Sequence, residues 1–240
     1  MQVIIMAAGL GVRLGALTES TPKALIRVAG KTLIERALIF AAQAGAERPI
    51  VVGGFCYADL LAHVAERDPG ARAVENPDFR QGNLLSLQVG FRLLGAGGFL
   101  LMNCDHIYPR GVAQIVAETA SSAGEVTAFC DFDRTLGADD MKVELDSARC
   151  VAAMSKQLPR WDAGYVGMTF VPACRRDAYA AAVAGTRLEL GPPAHVEAVL
   201  VHLARQGVPP RIADISGHGW YEVDEPHERE RAERGLAQAE

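Results

Sequence analysis

No apolar run in this 240-residue chain approaches the roughly 18 residues needed to span a bilayer. The segment before the first strand, in MQVIIMAAGLG, lacks the basic stretch of a secretory signal. The five cysteines (Cys56, Cys104, Cys130, Cys150 and Cys174) are odd in number and lack the paired spacing of a zinc site. Four of the five sit among apolar neighbours, which suits reduced core thiols better than a disulfide framework, so a cytoplasmic location is the expectation. An excess of positive charge is missing too: 24 Lys and Arg face 29 Asp and Glu, for a net −5. That balance argues against a general nucleic-acid surface and leaves any bound anion to a local cluster. There is no low-complexity tract, no internal repeat and no linker. The first loop also lacks the Gly-Lys-Ser/Thr of a P-loop and the G-x-G-x-x-G spacing of a dinucleotide fingerprint, and the second strand ends in VVGG without a ribose-binding acid.

What is present is a regular alternation. VIIM, RPIVVGG, ARAVEN and GGFLLMNCDH read as strands, and the segments between them have apolar residues at helical spacing. Strand–helix–strand units of this length predict a mostly parallel, Rossmann-like twisted sheet with helices on both faces. From about residue 106 the pattern becomes richer in strands: EVTAFCDF, MKVELD, CVAAMS and AGYVGMTFV follow one another closely. Helices are expected near 173–184 and 193–206, then a strand pair at PRIADI and GWYEVD, then a charged terminal helix. The reading is one domain over 1–240, with a nucleotide-binding half to about 105 and an acceptor-binding half beyond it.

The stretch MAAGLGVRLGALTESTPKAL places a glycine-rich turn after a buried strand, followed by two spaced cations. Free backbone amides at such a strand-to-helix turn make an anion site, and Gly9 and Gly11 allow close approach. Arg13 and Lys23 add fixed positive charge suited to a triphosphate. A tight turn with surface cations is the competing reading.

These residues resemble the signature of the sugar-1-phosphate nucleotidyltransferase superfamily: a strand, A-A-G-x-G-x-R, T-x-x-x-P-K-x-L, and a segment like VAGKTLIE. The resemblance implies transfer of a nucleotidyl group from an NTP to a phosphorylated acceptor, with Ala7, Ala8, Gly9, Leu10, Gly11, Arg13 and Lys23 around the nucleotide phosphates. ENPDFRQGNLLSL resembles a stretch of the cytidylyltransferases acting on phosphocholine, phosphonates and inositol phosphate, which implies that Asn83 and Ser86 lie near the base. In FLLMNCDHIYP and GWYEVDEPHERERAE, Asp105 and Asp224 correspond to the family's metal ligands. Two carboxylates with phosphate oxygens suit Mg²⁺, a hard cation that retains water. His106 is read as lining the site or packing rather than as a ligand.

Candidate acceptor contacts are Lys142, Lys156, Asp162, Tyr165 and Glu222, with Lys156 in its Ser-Lys turn better placed than Lys142. The resemblance is weakest over about 173–210. The expected chemistry is attack of an acceptor phosphate on the α-phosphorus of CTP, with inositol 1-phosphate as the favoured acceptor. A sugar or cyclitol 1-phosphate, a phosphonate and phosphocholine stay open. For phosphocholine, Trp161, Tyr165, Trp220 and Tyr221 supply aromatic faces. A catalytically silent nucleotide-sensing subunit is the reading from a different class. Dimers are common in the superfamily, so a homodimer is a further expectation.

Overall fold

The computed structural model describes residues 1–239. Strand β1 (Gln2–Ala7) leads into the glycine loop, a short hairpin of β2 (Arg27–Val28) and β3 (Lys31–Thr32), and helix α1 (Leu33–Gln43). Then come β4 (Ile50–Gly53), α2 (Tyr57–Arg67), β5 (Arg72–Glu75), α3 (Asn83–Phe91), β6 (Phe99–Asn103), β7 (His106–Ile107) and α4 (Arg110–Ser122). The second half holds β8 (Thr127–Asp131), β9 (Lys142–Leu145), β10 (Val151–Ser155), β11 (Ala163–Val171), α5 (Arg176–Leu190) and α6 (Glu197–Arg205). It closes with β12 (Arg211–Asp214), β13 (Tyr221–Glu222) and α7 (Pro226–Ala239).

The main sheet runs β10-β9-β11-β6-β1-β4-β5, with β8 and β12 branching from β11. β5, β4, β1 and β6 are parallel, as the βαβ pattern requires, and β11 joins β6 antiparallel. Alternation along β1 decides which face each side chain serves. Val3 and Ile5 pack with α1, α2 and α4, whereas Ile4 and Met6 pack with α3, α5 and α6. With both faces covered, β1 is apolar from Val3 onward, which is why VIIM reads as an unbroken run.

Two expectations are corrected. PRIADI and GWYEVD do not pair with each other: β12 lies parallel to β8, while β13 pairs antiparallel with β7 in a separate two-stranded sheet. The glycine loop does not open into an α-helix. It enters a 3₁₀ segment, Val12–Thr18, broken at Gly15 (φ 59°), then a 3₁₀ turn at Lys23–Leu25. Three of the cysteines are buried, Cys56 is half-buried and Cys174 is exposed; all five are free thiols. No helix among the described residues is long and apolar enough to cross a membrane.

α1 shows how locally the chain fixes its elements. Thr32 Oγ1 accepts from the Glu35 amide (3.2 Å) and Glu35 Oε2 accepts from the Thr32 amide (2.6 Å), a reciprocal cap.

Candidate active site

Residues far apart in sequence meet where β1 and β6 end. Met6 pairs with Asn103, the Cys104 amide donates to Met6 O (3.1 Å), and the chain turns at Asp105 into β7. β13 then lies along β7, Glu222 opposite His106, and the Val223 amide donates to Asp105 O (3.0 Å). That small ladder carries Asp224 to Asp105. Asp224 is held in turn at the start of α7, where the Asp224 and Glu225 amides donate to Glu228 Oε2 (2.8 and 2.9 Å).

The glycine loop is anchored to the same elements. Leu14 packs with Ile26, Val28, Leu33, Ile107, Val223 and Ala232. Gly11 has φ 66°, and a Cβ there would stand 2.9 Å from Lys23 Cβ, so only glycine suits both the backbone and the close approach. The amides of Gly9, Leu10 and Gly11 donate to no acceptor among the described residues, which leaves three donors at the strand end. Thr18 Oγ1 donates to Gly11 O (2.8 Å) and closes the loop on itself.

Here the two cations and two acids form one cluster. Lys23 Nζ donates to Asp105 Oδ2 (2.6 Å) and to Asp224 Oδ1. Arg13 donates to Asp224 Oδ2 and, through Nη1, to Asp139 Oδ2 (3.0 Å). Burial alone would depress the Lys23 ammonium, but Asp105 and Asp224 outweigh it and hold it above its ordinary value. Burial would likewise raise the Asp105 carboxyl, yet Lys23 and His106 bring it well below the usual carboxylate range. The His106–Asp105 contact is 2.7 Å, from Nδ1 to Oδ1. The His106 ring stacks on Trp220 at 5.2 Å between centroids and 8° between planes. Trp220 Nε1 donates to Asp131 Oδ2 (2.8 Å), and the Arg134 guanidinium lies 3.9 Å from the ring centroid of Trp220. Burial also raises the Glu222 carboxyl; His106 pulls against that effect and Asp105 and Asp224 reinforce it.

Beside this cluster lies a cleft of about 680 Å³, which extends from His106 and Glu222 to a wall formed by α5 and α6. Of the expected acceptor contacts, Lys156, Tyr165 and Glu222 line it, as does Asn83. Asn83 Oδ1 accepts from the Val196 amide (2.9 Å) and so fixes the segment leading into α6. Three expected contacts stand elsewhere. Ser86 is buried and its hydroxyl accepts from Asn76 Nδ2 (2.9 Å). The Lys142 ammonium is spent on Gly137 O (2.7 Å) and Lys156 O (2.8 Å), and Asp162 Oδ2 accepts from the Leu145 amide (2.8 Å). None of these three lines the cleft: the Asn76 side chain claims the Ser86 hydroxyl, and nearby backbone claims the polar groups of Lys142 and Asp162.

The aromatic set is not assembled either. Trp161 lies over Lys142, Trp220 lies under His106, and Tyr221 pairs in β13 against α7. Only Tyr165 faces the cleft among the described Phe, Tyr and Trp residues, and its hydroxyl shares a hydrogen bond with Thr169 (2.8 Å). Residues that sequence reasoning passed over include Asp139, His195 in the α5–α6 connection, and the helical side chains Glu189, Glu197, His202 and Arg205. They fall in loops or on helix faces, where no periodic or glycine signal marks a site.

Free loop amides, two cations on a strand-end loop and two acids brought in after β6 and β13 thus meet at one point, where anion donors and carboxylates stand side by side. Residues 3–202 match the MobA-like NTP transferase domain, and the chain belongs to that family. A bifunctional IPC transferase and DIPP synthase of Rubrobacter xylanophilus is 31% identical over 229 residues, covering 93% of this chain and 49% of that protein. A 2-aminoethylphosphonate cytidylyltransferase of Lancefieldella rimae is 37% identical over 103 residues, 42% of each chain. The chain thus spans about half the length of the curated relatives it matches, or less. Among solved structures, the inositol-1-phosphate CTP transferase from T. maritima shares the fold, with TM-score 0.80 and 19% identity over 95% of this chain and 90% of that one.

Proposed function

We propose that this domain is a Mg²⁺-dependent cytidylyltransferase that joins CTP to a small phosphorylated polyol, inositol 1-phosphate foremost, and releases pyrophosphate. The observation that carries the reading is the meeting of Arg13 and Lys23 with Asp105 and Asp224 beside the cleft. The cytidylyltransferase and CMP-phosphonate synthase names among the relatives support cytidine as the base, and the cleft without an aromatic box supports a polyol over a quaternary ammonium.

The free amides of Gly9, Leu10 and Gly11, with Arg13, hold the β- and γ-phosphates. Lys23 and Arg13 neutralise the charge that gathers on the leaving pyrophosphate. The acceptor phosphate is already anionic at neutral pH, so attack on the α-phosphorus needs alignment rather than a general base. His106 holds Oδ1 of Asp105 and leaves Oδ2 directed at the site. The acids suit Mg²⁺ because both already converge on a single cation, the Lys23 ammonium, and two protein ligands leave room for phosphates and water. Bound by Asp105 and Asp224, Mg²⁺ would offset α-phosphate charge and favour in-line geometry.

The test is pyrophosphate release over a grid of four nucleoside triphosphates and a dozen phosphorylated acceptors. Release confined to CTP with a polyol phosphate is expected. No release with any pair would leave a nucleotide-binding module in place of an enzyme.

A further inference from the structure

Most charged groups in the cleft are satisfied within the protein. Glu189 accepts from Arg205 (3.0 Å) and lies 3.4 Å from His202, Asp139 pairs with Arg13, and Asp140 accepts from the Gly137 amide (2.6 Å). Two groups on the α5–α6 wall differ. Glu197, in the first turn of α6, is half-buried and lines the cleft; its carboxylate is held only by its own backbone amide, with His195, Lys156 and His106 within electrostatic reach, and it forms no hydrogen bond or ion pair with the side chain of another described residue. Thr186, on α5, is 1% exposed, lines the same cleft, and its hydroxyl has no partner. An unmade hydrogen bond at a buried hydroxyl is costly, and a ligand that pairs with it removes the cost.

The chemistry of the pair selects the end of the acceptor it serves. A carboxylate repels phosphate and accepts only hydrogen bonds, while a threonine hydroxyl both donates and accepts. The phosphate end belongs with Lys23, Arg13 and the metal-binding acids, so this wall faces the rest of the acceptor. A quaternary ammonium would need several aromatic faces, and among the described Phe, Tyr and Trp residues the cleft offers Tyr165 alone. A hydroxyl-rich ring or chain offers many donors and suits both groups.

We propose that the α5–α6 wall is a headgroup subsite in which Glu197 and Thr186 read the hydroxyls of a polyol phosphate. This rests on the nucleotidyl-transfer reading above. Because a site built to pair with hydroxyls rejects analogues lacking them, it would set acceptor specificity.

The experiment compares wild type, Glu197→Gln, Thr186→Val and Thr186→Ser with inositol 1-phosphate, glycerol 3-phosphate, phosphoethanolamine and phosphocholine. Steady-state kinetics with CTP are measured beside saturation-transfer NMR of inositol 1-phosphate binding without nucleotide. Glu197→Gln is expected to raise the acceptor KM at least tenfold and Thr186→Val several-fold, with the CTP KM within twofold and Thr186→Ser close to wild type. Unchanged acceptor KM in both Glu197→Gln and Thr186→Val overturns the subsite, as does preference for phosphoethanolamine over every hydroxylated acceptor. If wild type transfers nothing, the transfer reading fails, and the NMR arm decides the subsite alone. Loss of the binding signal in Glu197→Gln supports it; equal signals in wild type and variant overturn it.

Discussion

Replacing Lys23 with methionine isolates what the ammonium contributes between the two acids. The side chains of Lys23, Asp105 and Asp224 are 8%, 23% and 17% exposed, so water screens the cluster only partly. Removing one partner from a buried ion pair costs about 3–5 kcal/mol, because the remaining charges are left uncompensated. In a chain of this length each kcal/mol moves Tm by about 2–4 °C, which gives a fall on the order of 10 °C in metal-free buffer. Methionine fills much of the volume of the lysine stem, so packing loss adds little. Added Mg²⁺ should then raise the Tm of Lys23→Met more than that of wild type, since the cation returns positive charge between the same acids without displacing an ammonium. Differential scanning fluorimetry with and without 10 mM-scale Mg²⁺ reads both effects. A variant melting with wild type, or one blind to Mg²⁺, would refute the reasoning.

Other outcomes follow from the same geometry. Asp224→Asn should lower pyrophosphate release by about 100-fold or more, on the scale of lost transition-state charge stabilisation, with the far-ultraviolet circular dichroism unchanged. Gly11→Ala places a Cβ 2.9 Å from that of Lys23 at φ 66° and should cost about 1–3 kcal/mol in urea denaturation while raising the nucleotide KM. Thr32→Ala should cost about 1 kcal/mol through loss of the α1 cap, with KM values unaltered. Burial would lift the Glu35 carboxyl, but hydrogen bonds from Thr32 and the Arg67 guanidinium hold it below its ordinary value. Its stabilising share is therefore full above the unfolded pKa near 4.3 and fades as pH falls through the lower folded value, so Glu35→Gln should narrow the difference from wild type in acid.

The sequence made the parallel half of the fold legible because strands buried on both faces write themselves as unbroken apolar runs, as VIIM and FLLM do. The loop was legible for a different reason: Gly11 packs on the Lys23 stem, which demands glycine there, while Asp105 and Asp224 demand the Lys23 charge. Asp105 and Asp224 could be named from the resemblance, but not the two-residue ladder of β7 and β13 that joins them, since strands this short carry no periodicity. The apparent pairing of PRIADI with GWYEVD reflected neighbourhood in sequence, whereas β12 is claimed by the open edge of β8. Lys142 and Asp162 looked available because a sequence does not show which backbone groups will occupy a polar side chain. The α5–α6 wall was hidden because Glu197 and Thr186 matter through an absence of side-chain partners, which only three-dimensional packing reveals.

The proposed role of the Arg13–Lys23–Asp105–Asp224 cluster is to transfer a cytidylyl group rather than merely to hold nucleotide. Phosphorus-31 NMR of the protein with CTP, Mg²⁺ and inositol 1-phosphate tests it most directly. Coupled resonances of a new diphosphate diester are expected to appear in step with pyrophosphate, and neither with Asp224→Asn. CTP persisting unchanged, or decaying to CDP and orthophosphate without a diester, would contradict it.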